Sequence, residues 1–355
     1  MSARTPVARR SKALSAQIGL TERLFLSPED RTMAGRIEQG LEQVERDLLQ
    51  HVSFEDSFAD VTSRSLLAAG GKRVRPLLVL LTAQLGEGIT PRVLTAAETV
   101  EITHLASLYH DDVMDEAEQR RGVPTAQTVW GNSVAILTGD LLFARASKLV
   151  ASIDGASVVA QTETFERLVL GQLHETIGPQ PGEDPVDHYL GVLRDKTGSL
   201  IAAAAQWGAA FARAPQEYWK PLSVFGERIG VAFQLIDDVI DLAPDEDETG
   251  KRAGTDLRAG VPTLPLLHLR RRALTDPADA ALLLRIEALL AEGVDDPEGL
   301  ASAVADLRAH DVTAETTREA HRWAAEAVAA LDPLPEGTVK RALIRFADLL
   351  VDRSN

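Results

Sequence analysis

The chain has 355 residues, no cysteine, 45% hydrophobic and 5% aromatic residues, and 53 acidic against 37 basic side chains, a formal net charge of -16. The missing thiol excludes a disulfide framework, a Cys-ligated zinc and a cysteine nucleophile. The acidic balance argues against nucleic-acid binding, which needs a basic surface to displace counterions, so an anionic ligand has to meet a local cluster of cations.

Residues 1–30 carry Arg4, Arg9, Arg10, Lys12 and Arg23 against few acids and lack the apolar core of a signal peptide. They read as a mobile tail, with an organellar transit peptide as the alternative. From Arg36 onward Ala, Leu, Arg and Glu dominate, and apolar residues recur at spacings of three and four. Gly and Pro cluster at 70–76, 86–91, 122–124, 178–185, 244–265 and 332–335, which leaves helical segments of roughly 15 to 25 residues between them. No fixed-period repeat appears, which counts against a helical solenoid, so residues 31–355 are expected to form a single large all-α domain. The longest apolar stretch, 200–212, is interrupted by Gln206 and is too short to span a bilayer. A cytoplasmic protein is expected.

Two segments match each other. Asp111-Asp112-Val113-Met114-Asp115 and Asp237-Asp238-Val239-Ile240-Asp241 are both DDxxD. On a helix, i and i+4 share a face and i+1 lies beside it, so each motif projects three carboxylates toward one patch. Such a patch calls for a compensating cation, and its oxygen-only donors suit Mg²⁺ bridging carboxylates to phosphates. The bland reading is a solvated acidic face. Both motifs follow apolar helical segments, however, and Gln234, Asp237, Asp238 and Asp241 make one polar stripe on a mostly apolar helix.

Cations lie near both motifs. Gly70-Gly71-Lys72-Arg73-Val74-Arg75-Pro76 places three positive charges on a glycine-led turn, where backbone amides can approach an anion and Pro76 can open a helix. Arg120-Arg121-Gly122 follows the first motif, Gly250-Lys251-Arg252 follows the second, and Lys196-Thr197 adds another candidate. Neither a P-loop nor a dinucleotide fingerprint is present. Glu101-Ile102-Thr103-His104 is an isolated ExxH, whereas a di-iron bundle needs two with two further Glu. On its own His104 reads equally as a core histidine or a functional one.

In this order and spacing the motifs resemble the trans-isoprenyl diphosphate synthases, the polyprenyl synthetase family, and in particular their long-chain members. The resemblance is carried by GGKRVRP at 70–76, EITHLASLYHDDVMDEAEQRRG at 101–122, GD at 139–140, GQ at 171–172, KTGSL at 196–200, FQLIDDVID at 233–241 and GKRAGTDLRAGVPTLPLL at 250–267. It implies the isoprenoid synthase fold, with helices surrounding a central apolar cavity and the aspartate motifs facing each other across its mouth. It also implies that Asp111, Asp112, Asp115 and Asp237 serve three Mg²⁺ ions on an allylic diphosphate, farnesyl or geranylgeranyl, with Asp238 and Asp241 completing the second motif. By the same resemblance Arg120, Lys196, Thr197, Gln234 and Lys251 hold that diphosphate, and Lys72, Arg75, His104 and Arg121 form the isopentenyl diphosphate pocket. A homodimer is implied as well, and a long apolar product implies transient contact with a membrane.

The implied reaction suits the composition. Ions and basic side chains stabilise the charge on departing pyrophosphate, and an apolar cavity shields the allylic cation until the isopentenyl double bond attacks it. Ser107 and Thr103 lie one and two turns below Asp111, at about 5.4 Å per turn, with Ala106 beside them. In the family a bulky aromatic at Ala106 or Ser107 limits the product. Both are small here, which moves the expected floor deeper, toward Phe165, and predicts a product longer than twenty carbons for a quinone side chain. A short-chain synthase and a non-catalytic subunit of a heteromeric synthase are the competing readings. A class I terpene cyclase resembles the chain less, because its second metal motif contains Asn, Ser and Glu.

Overall fold

A computed structural model describes residues 21–25, 30–243, 254–258, 260–291 and 296–352. The elements are α1 (Arg31–His51), α2 (Ser57–Ala68), α3 (Val74–Thr82), α4 (Pro91–Met114), β1 (Gln119–Arg120), β2 (Val123–Pro124), α5 (Ala126–Trp130), α6 (Asn132–Ala151), α7 (Gly155–Ile177), α8 (Pro185–Leu193), α9 (Ser199–Phe211), α10 (Trp219–Asp241), α11 (Thr255–Arg258), α12 (Leu264–Ala273), α13 (Pro277–Ala291), α14 (Pro297–Ala309), α15 (Asp311–Ala329) and α16 (Thr338–Val351). Among the described residues the β1–β2 hairpin is the one sheet, so the fold class is all-α as expected.

Side-chain caps start several helices where the sequence signals them. Asp56 accepts from the amides of Phe58 and Ala59 at α2. Thr90 accepts from Val93 N at α4 and Asp184 from Val186 N and Asp187 N at α8, each followed by a proline whose missing N–H costs nothing in a first turn.

The chain divides into two compact units. The first comprises Met1–Glu166, Leu200–Gly226 and Ala330–Phe346, and the second Arg167–Ser199, Glu227–Ala329 and Ala347–Asn355. In the first unit, α4 is buried on most of its faces. Val93, Ala96, Ala97, Val100, Ile102, Leu105 and Ala106 have no exposed surface, the pattern of a core helix. Helix α9 lies close to α3 because Gly208 has no side chain: a Cβ there would collide with Val79 O and Thr82 Oγ1. Each fully buried leucine, such as Leu78, Leu80 and Leu81 of α3, contributes about 1.5–3 kcal/mol. The second unit has its own core of Leu242, Leu257, Leu266, Leu269, Ile286, Leu300, Val304, Leu307 and Val312.

Part of the expected tail is packed structure. Leu24 and Phe25 are buried, and Arg345 Nη1 donates to Leu24 O at 2.9 Å. Leu24 and Phe25 give the chain an apolar anchor that the charge pattern of residues 1–30 does not reveal. No helix among the described residues is long and apolar enough to cross a membrane.

Candidate active site

The first aspartate motif closes α4. Asp111 is half-buried, Asp112 is buried, and Asp115 is exposed as the residue that caps the helix, its amide still bonded to Asp111 O. The expected compensating cation is Arg120, whose Nε donates to Asp112 Oδ1. Burial nevertheless pushes the Asp112 carboxyl up, against the pull of Arg120.

Arg120 is placed by the hairpin. Arg120 pairs with Val123, leaving Arg121-Gly122 as a two-residue turn with φ of 54° and 72°. Two successive positive φ values make a type I′ turn, whose twist suits paired strands. The Arg121 side chain offsets the cost of that backbone: it is half-buried and donates to Gly70 O and Leu66 O. Burial lowers its guanidinium to about 10, opposed by Glu101.

His104 sits in this cationic neighbourhood. Burial drives its imidazole well below the ordinary value, and Arg75, Arg121, Arg120 and Arg73 push it the same way, so it is a neutral ring among guanidinium groups. Arg75 Nε is buried with no hydrogen-bond partner among the described residues, and burial lowers its pKa. Lys72 is exposed. Two expectations for the glycine-led turn are overturned. Arg73 does not add its charge to an anion-binding turn. Its side chain is turned inward, and Nε and Nη2 donate to Glu45 at 2.8 and 3.2 Å while Nη1 donates to Glu101 at 2.9 Å. Pro76 is the third residue of α3, not its first.

In the second unit, Gln234 and Asp237 are half-buried on α10, and Asp238 and Asp241 are buried. Asp238 Oδ2 accepts from Tyr189 OH at 2.8 Å and from Leu264 N at 3.2 Å. Burial raises its carboxyl well above the usual range, and those two donors pull it back. Asp241 accepts from the amides of Thr255 and Asp256 and ties down the start of α11. Both carboxylates expected as metal ligands therefore already hold chain segments in place. Lys251 lies outside the described residues.

Lys196 and Thr197 lie on a π-helical turn, Arg194–Gly198, a wide turn common at functional sites. Arg167 clamps it, Nε to Asp195 at 2.6 Å and Nη2 to Glu227 at 2.5 Å. A Cβ at Gly171 would strike Lys196 N, which is the physical need behind the glycine of the GQ pair. Lys196 Nζ bonds Glu175. In the GD pair, a Cβ at Gly139 would strike the His110 ring.

Of the expected chain-length residues, Thr103 and Ala106 are buried and Ser107 is half-buried, with the Thr103 and Ser107 hydroxyls turned back onto Thr99 O and His104 O. Phe165 packs on Phe143 at 4.1 Å between ring centroids, and Phe143 on His110 at 5.5 Å.

Arg73, Glu45, Glu101, Arg167 and Tyr189 have positioning contacts that the sequence reading did not single out. The nearest signal is that Glu101 lies in the same motif as His104.

The polyprenyl synthetase model matches residues 58–303. The chain belongs to the polyprenyl synthetase family. It is 41% identical over 325 residues to a nonaprenyl diphosphate synthase of Mycobacterium tuberculosis, covering 91% of this chain and 95% of the relative. Among solved structures, a decaprenyl diphosphate synthase from Rhodobacter capsulatus superimposes with a TM-score of 0.80 at 33% identity, covering 92% of this chain and all of that one. A geranylgeranyl pyrophosphate synthase from Corynebacterium glutamicum, complexed with calcium and isoprenyl diphosphate, gives a TM-score of 0.79 at 40% identity, covering 92% and 98%. Like its family, this polyprenyl synthetase is a prenyltransferase acting on isopentenyl and allylic diphosphates.

Proposed function

We propose that the chain extends an allylic diphosphate, farnesyl or geranylgeranyl, with successive isopentenyl units to an all-trans polyprenyl diphosphate longer than twenty carbons, suited to a quinone side chain. The observation that supports diphosphate binding is the buried Arg75 Nε, without a hydrogen-bond partner among the described residues, on a turn that Arg121 also contacts, in a chain of net charge -16. In an acidic protein, a half-buried cluster of cations with an exposed Lys72 nearby calls for a polyanion such as a diphosphate. Lys72, Arg75, His104 and Arg121 take that of the isopentenyl substrate in this reading. Arg120, Lys196, Thr197, Gln234 and Lys251 hold the allylic one.

The acidic donors fit Mg²⁺, a hard cation that takes one or two carboxylates together with phosphate oxygens and water. Asp111 and Asp115 supply such oxygens from one end of α4. Asp111, Asp112, Asp115 and Asp237 are the proposed ligands for three ions, with Asp238 and Asp241 supporting them through their hydrogen bonds. Mg²⁺, when bound, neutralises charge on the pyrophosphate. In the reaction the allylic C–O bond breaks and its electron pair leaves with pyrophosphate. The isopentenyl double bond then forms the new C–C bond, and a proton passes to pyrophosphate. Arg120 and Lys196 stabilise the leaving group.

A second copy of the chain completes the proposal. Ile136 and Leu137 on α6 are 42% and 66% exposed, and a homodimer would cover them. The relationship to the geranylgeranyl synthase keeps a twenty-carbon product as the second reading.

The test uses the purified chain alone with Mg²⁺, isopentenyl diphosphate and each primer, following pyrophosphate release and product length by mass spectrometry. Products longer than twenty carbons are expected. A single twenty-carbon product would favour the second reading, and no turnover from folded protein would favour a subunit that needs a catalytic partner.

A further inference from the structure

Three neighbouring cations of the glycine-led turn have three different fates. Lys72 is exposed, Arg75 keeps a buried Nε without a hydrogen-bond partner among the described residues, and the Arg73 side chain is 1% exposed in a three-point grip. Glu45 takes two of its nitrogens as a fork, and Glu101 takes the third. The point charge of a lysine could not replace this arrangement, since only a planar guanidinium serves two carboxylates from fixed directions.

The backbone gives the grip its purpose. Arg73 has φ 50° and ψ 38°, a left-handed conformation at the residue that precedes α3, and such a conformation costs a non-glycine residue on the order of 1 kcal/mol or more. Neighbouring groups lock it. An added Cβ on Gly71 would lie 2.6 Å from Arg73 Nη1 and 3.0 Å from Arg121 Nη1. Two guanidinium groups thus flank one glycine, and Arg121 also holds Gly70 O. Like charges this close need a shared counter-ion, and Glu101, 3% exposed, is bonded to Arg73 there.

We propose that Arg73, clamped by Glu45 and Glu101, is a positioning residue for isopentenyl diphosphate: it fixes the left-handed turn that presents Lys72 and Arg75, and it occupies Glu101 so that Arg75 and Arg121 stay available to an anion. The inference rests on the assignment of Lys72, Arg75, His104 and Arg121 to the isopentenyl pocket. It assigns Arg73 no contact with substrate.

The test is steady-state kinetics on the full chain, varying isopentenyl and farnesyl diphosphate separately, for Arg73→Lys, Glu101→Gln and Arg75→Met, with thermal melts to confirm folding. Arg73→Lys and Glu101→Gln should each raise KM for isopentenyl diphosphate about tenfold, the loss expected for one charge-assisted hydrogen bond, and leave KM for farnesyl diphosphate within about twofold. A lower melting temperature with both KM values unchanged, or both raised together, would overturn the positioning role. Should either variant fail to fold, Glu45→Gln, at the more exposed end of the grip, gives the same two readouts. Arg75→Met separates the underlying assignment: if it leaves the isopentenyl KM unchanged, the pocket itself is wrong. If Arg75→Met raises that KM while Arg73→Lys does not, the pocket stands and the positioning proposal fails.

Discussion

Tyr189 donates its phenolic hydrogen to Asp238 Oδ2 at 2.8 Å, and the amide of Leu264 reaches the same oxygen. The second aspartate of the second motif therefore ties α8, α10 and the start of α12 together. Asn at this position keeps one carbonyl oxygen for both donors, while the charge is lost and the second oxygen becomes an NH2 group. Asp238→Asn should therefore keep most of the melting temperature, whereas Tyr189→Phe should cost about 1–3 kcal/mol in denaturant unfolding, the penalty of an unmade buried hydrogen bond. Asp237→Asn should lower pyrophosphate release about a hundredfold through lost charge stabilisation. Equal activity losses in Asp237→Asn and Asp238→Asn would return Asp238 to the role of a direct ligand.

Ser107 and Ala106 are adjacent small residues on α4 with different surroundings. Ala106 has no exposed surface, so a larger side chain there must displace its neighbours. Ser107 is half-buried. Ala106→Phe should destabilise the protein by about 1–3 kcal/mol, as overpacking does. Ser107→Phe should leave the fold intact and shorten the product. Mass spectrometry of the extracted products, with a melt of each variant, checks both. An unchanged chain length in Ser107→Phe would mean that this side of α4 does not line the tunnel.

Arg167 lies on α7, and through Asp195 and Glu227 it holds the π-helical turn that carries Lys196 and Thr197. Arg167→Met removes the cation that Asp195 and Glu227 share, leaving Asp195 with Arg194 at 3.5 Å. The wide turn should relax, and KM for the allylic diphosphate should rise about tenfold while that for isopentenyl diphosphate holds. A rise in the isopentenyl KM alone would contradict the assignment of Lys196 and Thr197.

The all-α class and the placement of both aspartate motifs on helices with apolar faces were legible in the sequence, because they depend on local periodicity and on Gly and Pro breaks. The direction taken by a charged side chain was not. Lys72, Arg73 and Arg75 look alike in a string of letters, yet Arg73 turns inward because Glu45 and Glu101, each 28 residues away, come together at its guanidinium. Asp238 posed the same difficulty, since its partners Tyr189 and Leu264 are 49 and 26 residues distant. The π turn at Arg194–Gly198 was hidden for another reason: it inserts a wider turn between α8 and α9 without a proline to mark it, and its support comes from Arg167. The glycines of the GD and GQ pairs were visible as letters, and only the positions of the His110 ring and the Lys196 amide explain them.

The first unit also contains a titrating pair away from the proposed substrate residues. His51 Nδ1 lies 2.9 Å from Glu98 Oε2, with Glu98 3% exposed. The adjacent Glu98 carboxylate raises the His51 pKa, opposed by burial. Burial raises that of Glu98, opposed by His51. Both groups bind protons more tightly in the folded chain than in the unfolded one, so both contribute in the same direction. The His51 share is fully present below its unfolded value of about 6.5 and is lost as pH rises through the higher folded value. The Glu98 share begins to fade above the ordinary carboxylate range. Stability attributable to the pair should therefore fall from about pH 5 to above pH 7. Melting curves of the native chain and of Glu98→Gln across that range give the comparison: the difference between them should shift in favour of Glu98→Gln as pH rises, and His51→Gln should remove the upper part of the slope. A difference that stays constant with pH would show that the pair does not titrate with folding.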